Sequence, residues 1–164
     1  NAAVVVEGCL ALWRAGFQIS DEAILAGIQK AQMPARIEVL SSLPLVLLDD
    51  SHNEDGAKAL ADTLAVGQRH GMTAIVGMVK GKDSFSFLQY LRPYVSRLIT
   101  VAPATPRALS AAALADLAEP LFPEVEEANS VKEALFLAGH PEEGLLICGS
   151  FYLAGEVKNI FSST

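Results

Sequence analysis

Four polar segments that could do chemistry stand directly after apolar runs of the chain. They are Asp49–Asn53, Lys80–Asp83, Ala102–Arg107 and Gly149–Ser150. A carboxylate is a hard oxygen acceptor that suits a ribose hydroxyl or a water on Mg²⁺, and an imidazole can donate a hydrogen bond to a phosphate. If the apolar runs are strands of one parallel sheet, the four segments meet at its carboxyl edge, where such sheets bind ligands.

The segment Asp49–Asn53 has two interpretations that the sequence leaves open. In the first, an Asp binds a ribose hydroxyl or a Mg²⁺ water and His52 binds a phosphate. In the second, the segment is an Asx turn followed by a helix cap, which needs only the Asp and Asn types. The capping interpretation accounts for Asn53 but gives His52 no role.

The segment Gly77–Ser84 has the glycines and lysines of a phosphate loop but the wrong spacing. Only three residues separate Gly77 from Gly81, and Asp83 follows Lys82, whereas a phosphate loop needs four residues and then Lys with Ser or Thr. Lys82 could still hold a carboxylate substrate as a point charge. The alternative is a solvated loop lysine, as we expect for Lys80.

The two arginines and the Gly-Ser pair give only weak evidence of a binding site when each is considered alone. Arg36 and Arg107 are each interpreted as ordinary surface arginines. Gly149 and Ser150 can turn tightly and expose backbone N–H groups at a helix start, which makes an anion site. A simple strand–helix turn explains the pair equally well.

The order of apolar runs and capping residues predicts an α/β protein. The predicted strands are Ile37–Leu40, Leu45–Leu48, Thr73–Val79, Leu98–Val101, Glu124–Glu126 and Leu145–Cys148. The predicted helices are a mostly buried Ala2–Ala15, then Asp21–Ala31, Asp55–His70, Ser84–Tyr90, Ala111–Ala118, a helix from Ser130 to about Ala138, and one from Phe151. This alternation indicates an open, doubly wound, Rossmann-like sheet. We expect five parallel strands plus an antiparallel edge strand, preceded by a helical pair.

Composition narrows the classes of function. Twelve Lys and Arg against nineteen Asp and Glu give a formal net charge of −7 in 164 residues, which argues against nucleic acid partners and a polybasic membrane anchor. The apolar runs are too short to span a bilayer. Cys9 and Cys148 predict reduced core thiols of a cytoplasmic protein. Trp13 and the seven phenylalanines are predicted to be core or helix-packing residues.

The strand-end motifs resemble those of folylpolyglutamate synthases. Leu48–Gly56 reads Leu-Asp-Asp-Ser-His-Asn-Glu-Asp-Gly and resembles the family's Leu-Asp-Gly-Ala-His-Asn-Pro-x-Gly. Further matches follow the family's order along nearly the whole chain: Asn1–Ala3 with its Asn-Ala start, Pro34–Glu38 with Pro-Gly-Arg-x-Glu, Lys82-Asp83 with Asp-Lys-Asp, Arg107-Ala108 with Arg-Ala, and Gly149–Gly155 with Gly-Ser-x-Tyr-Leu.

This resemblance implies the C-terminal domain of such an enzyme, or of its form bifunctional with dihydrofolate synthase, in the Mur ligase superfamily. These ligases use ATP to convert a folate γ-carboxyl into an acyl phosphate, which the amine of glutamate then attacks. Their P-loop and most Mg²⁺ ligands belong to an N-terminal domain. Since the chain lacks a P-loop and does not begin with Met, we expect an inactive piece of a longer protein. Residues 1–34 would end the preceding ATPase domain, and 35–164 would form the glutamate-ligase domain.

The resemblance also implies a role for each matching residue. Asp49, Arg36 and Asn53 would bind ATP, with His52 at the phosphates as the catalytic residue, and Lys82, Asp83, Ser150 and Arg107 would bind the glutamate substrate. The chain departs from the family at Asp50, Ser51 and Glu54, where the usual residues are Gly, Ala and Pro. Asp50 adds a negative charge beside the nucleotide, which weakens binding unless Mg²⁺ or Arg36 offsets it.

Two rival functions remain open at this stage. One is another Mur-type ligase that adds an acidic amino acid to a different acceptor. The other is a nucleotide-binding module without catalysis.

Overall fold

A computed structural model describes residues 2–31 and 33–162 of the chain. The described residues fall into two compact units, divided after Pro34. Asn1, one of the residues that carry the family resemblance, lies outside the described part.

The first unit is a pair of helices, α1 (Ala2–Arg14) and α2 (Asp21–Lys30). The hydroxyl of Ser20 caps α2 by accepting a hydrogen bond from Ala23 N at 3.2 Å. Neither helix contains a buried residue, so the prediction of a mostly buried first helix is wrong. The reason is geometric, because two helices can cover only the seam between them.

The second unit is a six-stranded sheet with helices between the strands. Its elements are β1 (Glu38–Ser42), β2 (Leu45–Leu48), α3 (Glu54–Val66), β3 (Met72–Val76), α4 (Ser84–Leu91), β4 (Val95–Val101), α5 (Ala111–Ala118), β5 (Glu124–Ala128), α6 (Val131–Ala138), β6 (Leu145–Cys148) and α7 (Phe151–Ser162). The strand order is β1-β2-β6-β3-β4-β5, and only the β1–β2 pair is antiparallel.

The core lies on both faces of this sheet. Along β2, Leu47 packs into a cluster with buried residues of α3, α4 and α5, whereas Val46 and Leu48 pack with α6 and α7. Alternate residues of a strand point to opposite faces, so the helices cover both sides. The predicted doubly wound α/β fold, with five parallel strands and one antiparallel edge strand, is therefore confirmed.

Several predicted boundaries are shifted. The third helix ends at Val66, before Gln68 at φ +50°, instead of at His70. The strand β3 ends at Val76, and β4 already begins at Val95. Within the described residues, no helix combines the length and the apolar character needed to cross a membrane.

Trp13 and the seven phenylalanines are predicted to be core or helix-packing residues, and a core position is confirmed for two of them. Only Phe87 and Phe122 are buried, while Trp13 is 58% exposed. The other five phenylalanines are exposed: Phe17, Phe85, Phe136, Phe151 and Phe161. Most of these side chains lie in a helix or beside one, and composition alone does not distinguish the buried face of a helix from its solvent face.

Candidate functional site

The carboxyl ends of neighbouring strands are tied together by backbone hydrogen bonds. Gly149, after β6, donates from its N–H to Ser51 O, after β2, at 3.0 Å. Gly77, after β3, donates to Cys148 O at 3.2 Å. These bonds place two of the four polar segments side by side and bring the start of the loop after β3 next to them, as a parallel sheet requires.

Two glycines allow this close approach. A Cβ atom on Gly149 would lie 2.8 Å from Gly77 O, and a Cβ on Gly77 would lie 2.9 Å from Val101 O. Gly149 also has φ +112°, a backbone conformation that residues other than glycine rarely adopt. The strand-end loops therefore stack at a separation that only glycine permits.

The fourth polar segment joins through a short antiparallel contact between two loops. Val79 and Ala108 form an isolated bridge, Lys80 N donates to Arg107 O at 2.8 Å, and Leu109 N donates to Met78 O at 2.9 Å. The contact draws the loop after β3 and the loop after β4 together.

These loops enclose a cavity of about 250 Å³ at the carboxyl edge of the sheet. Four of the predicted site residues line it, together with three residues that the sequence analysis had not assigned. The lining is His52, Lys82, Arg107 and Ser150, with Val79, Phe151 and Tyr152. The cavity thus combines two cations, an imidazole and a hydroxyl with aromatic walls. Phe151 and Tyr152 could have been found from their position directly after Ser150.

The His52 ring is fixed at one nitrogen. Its Nδ1 lies 2.9 Å from Asp50 O, and the ring centroid lies 4.9 Å from that of Phe151. Because a carbonyl oxygen can only accept, Nδ1 must carry the hydrogen, which leaves Nε2 as the acceptor of the neutral ring. The capping interpretation of this segment leaves that nitrogen unexplained.

Three predicted site residues cap helices. The Asn53 side chain accepts from Gly56 N at 2.9 Å and begins α3. The Asp83 carboxylate accepts from Ser86 N at 3.0 Å and from its hydroxyl at 2.7 Å, and the backbone bond lowers the pKa of Asp83. Ser150, which is 2% exposed, accepts from Leu153 N at the start of α7.

Of these three capping residues, Ser150 is the one placed to bind a ligand in the cavity as well. Ser150 lines the cavity and keeps its hydroxyl proton for a ligand. Asn53 and Asp83 do not line it. Their binding roles remain predictions.

Two of the predicted nucleotide-binding residues, Asp49 and Arg36, lie near the end of β2 and do not line this cavity. The buried Asp49 carboxylate accepts from Ile37 N at 3.0 Å and from Ser51 N at 2.9 Å. Each oxygen keeps a second lone pair, so the carboxylate can still accept from a hydroxyl. The Arg36 side chain contacts the next residue, with Nε 2.9 Å from Asp50 Oδ1. Across residues 2–31 and 33–162, no group of three or more His, Cys, Asp and Glu side chains could hold a metal ion.

Burial raises the pKa of the Asp50 carboxyl, and the charge of Arg36 opposes the rise. Because the pKa of Asp50 is raised in the folded state, this carboxyl contributes most to stability below pH 3.8, its ordinary pKa. The contribution is lost as the pH rises through the pKa of the folded state. We expect Asp50→Asn to unfold at an equal or higher urea concentration at neutral pH, with the difference shrinking toward acid pH. A variant less stable at neutral pH would show that the ion pair with Arg36 outweighs burial.

The Ser51 hydroxyl is buried and has no hydrogen-bond partner among the described residues. An unsatisfied buried hydroxyl costs roughly 1–3 kcal/mol, and the resembling motif has Ala here. We expect Ser51→Ala to raise the free energy of unfolding by about 1 kcal/mol in urea denaturation. Ser150→Ala is the matched control, because it removes a cap and should cost about 1 kcal/mol. Equal losses of stability in both variants would contradict the conclusion that the Ser51 hydroxyl is buried without a hydrogen bond.

Comparison with known proteins agrees with this architecture. Residues 35–151 match the family model of the Mur ligase glutamate ligase domain. The folylpolyglutamate synthase of Lacticaseibacillus casei is 32% identical over 143 residues, covering 85% of this chain and 32% of the relative.

Solved structures of folylpolyglutamate synthases share this fold. A Mycobacterium tuberculosis folylpolyglutamate synthase complexed with ADP and AMPPCP matches with a TM-score of 0.80 at 29% identity, covering 88% of this chain and 36% of that one. A bifunctional folylpolyglutamate synthase/dihydrofolate synthase with Mn, AMPPNP and L-glutamate bound matches with a TM-score of 0.78 at 31% identity, covering 92% and 37%. The chain spans about a third of the length of these proteins.

Proposed function

Because the chain belongs to the family of Mur ligase glutamate ligase domains, we propose that it is the C-terminal domain of an ATP-dependent ligase that adds L-glutamate to the γ-carboxyl of folates. The observation that carries the proposal is the cavity at the carboxyl edge of the sheet, where Lys82 and Arg107 meet His52 and Ser150. Glutamate is an amino acid with two carboxylates, so a pair of cations beside hydrogen-bonding groups suits it. A relative of the same fold binds L-glutamate.

The reaction joins a carboxyl to an amine. ATP transfers its γ-phosphoryl group to the folate γ-carboxylate, which gives an acyl phosphate and releases ADP. The new bond forms between the glutamate nitrogen and the acyl carbon, and the bond from that carbon to the phosphate oxygen breaks. The contribution of this domain is then mainly positioning, since holding the amine next to the acyl carbon removes much of the entropic barrier.

Each cavity residue has a defined task in this proposal. Lys82 and Arg107 hold the carboxylates of glutamate, and the Ser150 hydroxyl donates to one of them. His52 is anchored through Nδ1 on Asp50 O, a bond that both the neutral and the charged ring can make. Its Nε2 can therefore take a proton from the attacking amine and then donate to the leaving phosphate. Asp83 supports the loop that carries Lys82.

The nucleotide would lie at the end of β2. Asp49 and Arg36 would bind the ribose and adenine side of ATP, and Asn53 would lie nearby. Relatives of this fold bind ADP, AMPPCP and AMPPNP, the last with Mn. Asp and Asn oxygens fit hydroxyl groups, whereas Mg²⁺ would be held mainly by the N-terminal P-loop domain, which also supplies the folate site.

The rest of the enzyme is part of the proposal. Residues 1–34, which form a unit of their own, would end the ATPase domain that precedes residues 35–164. The 164-residue chain would be inactive alone, because it has no P-loop. Both cysteines are free, which supports a cytoplasmic location, where thiols stay reduced.

The test is an acceptor panel with the full-length protein. We would measure incorporation of labelled glutamate, with Mg²⁺ and ATP, into tetrahydrofolate, dihydropteroate and acceptors of other Mur-type ligases. The proposal expects ATP-dependent incorporation into tetrahydrofolate. Incorporation into dihydropteroate as well would make the enzyme bifunctional. Incorporation only into another acceptor would overturn the folate assignment, and nucleotide binding without any incorporation would indicate a non-catalytic module.

A further inference from the structure

The backbone around Arg36 is in an uncommon conformation. Ala35 and Ile37, on either side of it, have φ +57° and +48°. Residues other than glycine rarely adopt such angles, and for a β-branched residue they are outliers. Strained backbone of this kind persists where the surroundings impose it and tends to occur at functional sites.

Three hydrogen bonds impose this conformation. Asp50 N donates to Ala35 O at 2.7 Å, Ile37 N donates to Asp49 Oδ2 at 3.0 Å, and Ala35 N donates to Glu38 Oε2 at 2.7 Å. Lys158 of α7 in turn holds Glu38, with Nζ 2.8 Å from Oε1. None of these contacts uses the Asp50 side chain, so the turn closes without it.

The Asp50 carboxylate instead contacts the Arg36 guanidinium. Its Oδ1 lies 2.9 Å from Arg36 Nε. The Asp50 side chain is 4% exposed and the Arg36 side chain is 50% exposed. The contact is a charge pair without hydrogen-bond alignment, since Oδ1 has no aligned donor among the described residues. Residues 2–31 and 33–162 offer the terminal amino groups of Arg36 no hydrogen bond, so a ligand could use them.

A purely stabilising role explains this pair poorly. Burial of a carboxylate is costly, and a half-exposed arginine returns little of that cost. The motif that the segment resembles carries Gly at this position. What the carboxylate adds is a buried negative charge 2.9 Å from Arg36 Nε, which attracts that edge of the guanidinium.

We propose that Asp50 is a positioning residue that holds the Nε edge of Arg36, so that the terminal amino groups of the guanidinium bind the nucleotide. The proposal rests on the proposed function for the identity of the ligand. It predicts that residues 36 and 50 act as one unit in nucleotide binding and have no effect on glutamate binding.

A double-mutant cycle on the full-length protein tests this. Binding of AMPPNP with Mg²⁺ would be measured by calorimetry for the wild type, Asp50→Asn, Arg36→Ala and the double variant. We expect each single variant to raise the Kd for AMPPNP about 5- to 10-fold. In the Arg36→Ala background, Asp50→Asn should change the Kd less than about twofold, because the effects of substituting two residues in contact are not additive. The KM for glutamate should stay within about twofold, which a general structural defect would not allow.

Glu54→Gln is the matched control, because it removes the same charge from a nearby position, the first residue of α3, where the Tyr90 hydroxyl donates to the Glu54 carboxylate at 3.3 Å. We expect its Kd for AMPPNP to change less than about twofold. Asp50→Gly, with the residue of the resembling motif, is the second variant if Asp50→Asn folds poorly.

Three results would overturn the positioning role. They are tighter binding by Asp50→Asn, additive effects in the cycle, and a wild type that binds no AMPPNP. A wild type that binds AMPPNP with the expected coupling but never incorporates glutamate would overturn the proposed function and leave the positioning role standing.

Discussion

A Gly149→Ala variant should melt well below the wild type and lose activity. The new Cβ would lie 2.8 Å from Gly77 O, at a residue with φ +112°, so backbone strain and a backbone clash add together. We expect the free energy of unfolding to fall by about 3 kcal/mol, and the melting temperature of the domain to fall with it. Thermal unfolding of the full-length protein, followed with the glutamate incorporation assay, measures both effects.

Gly155→Ala is the control for this prediction. Gly155 lies on the exposed side of α7, and a Cβ there would meet nothing within 4 Å. Since Ala favours a helix by up to about 1 kcal/mol over Gly, this variant should be slightly more stable and fully active. Equal behaviour of the two variants would show that the stacked loops do not depend on Gly149.

Lys82→Ala should raise the KM for glutamate about 10- to 100-fold, with a smaller effect on the KM for ATP. Lys82 lines the cavity with Arg107, and a hydrogen bond to a charged group contributes roughly 1.5–3 kcal/mol. The measurement is steady-state kinetics of the full-length protein, with glutamate and ATP varied separately.

Lys80→Ala is the matched control in the same loop. Lys80 is exposed and does not line the cavity of His52, and its backbone N–H donates to Arg107 O in the neighbouring loop. We expect its kinetic constants to stay within about twofold of the wild type. If Lys80→Ala raised the KM for glutamate as much as Lys82→Ala, the substrate would be recognised by the general charge of the loop.

The sequence predicted the elements of the sheet well because their signals are local. Apolar runs such as Leu45–Leu48 and Leu145–Cys148 are strands buried on both faces, and Ser20, Asp83, Ser110 and Ser130 begin helices in the structure as predicted. Each of these signals depends on residues only a few positions apart.

The site was predictable only in part because its assembly is long-range. The strand ends predicted His52, Lys82, Arg107 and Ser150 as candidate site residues, and the structure brings these four to one cavity. The bridge between Val79 and Ala108 that draws two loops together has no local signature. The pairing of Asp50 with Arg36 likewise joins residues that are distant in sequence.

The most direct test of the account is glutamate incorporation into tetrahydrofolate by three proteins, with Mg²⁺ and ATP present. They are the full-length protein, its His52→Ala variant and the isolated 164-residue chain. The account predicts incorporation by the first, a loss of about 100-fold or more in the second, and none in the third. Undiminished incorporation by the His52→Ala variant, or turnover by the isolated chain, would contradict it.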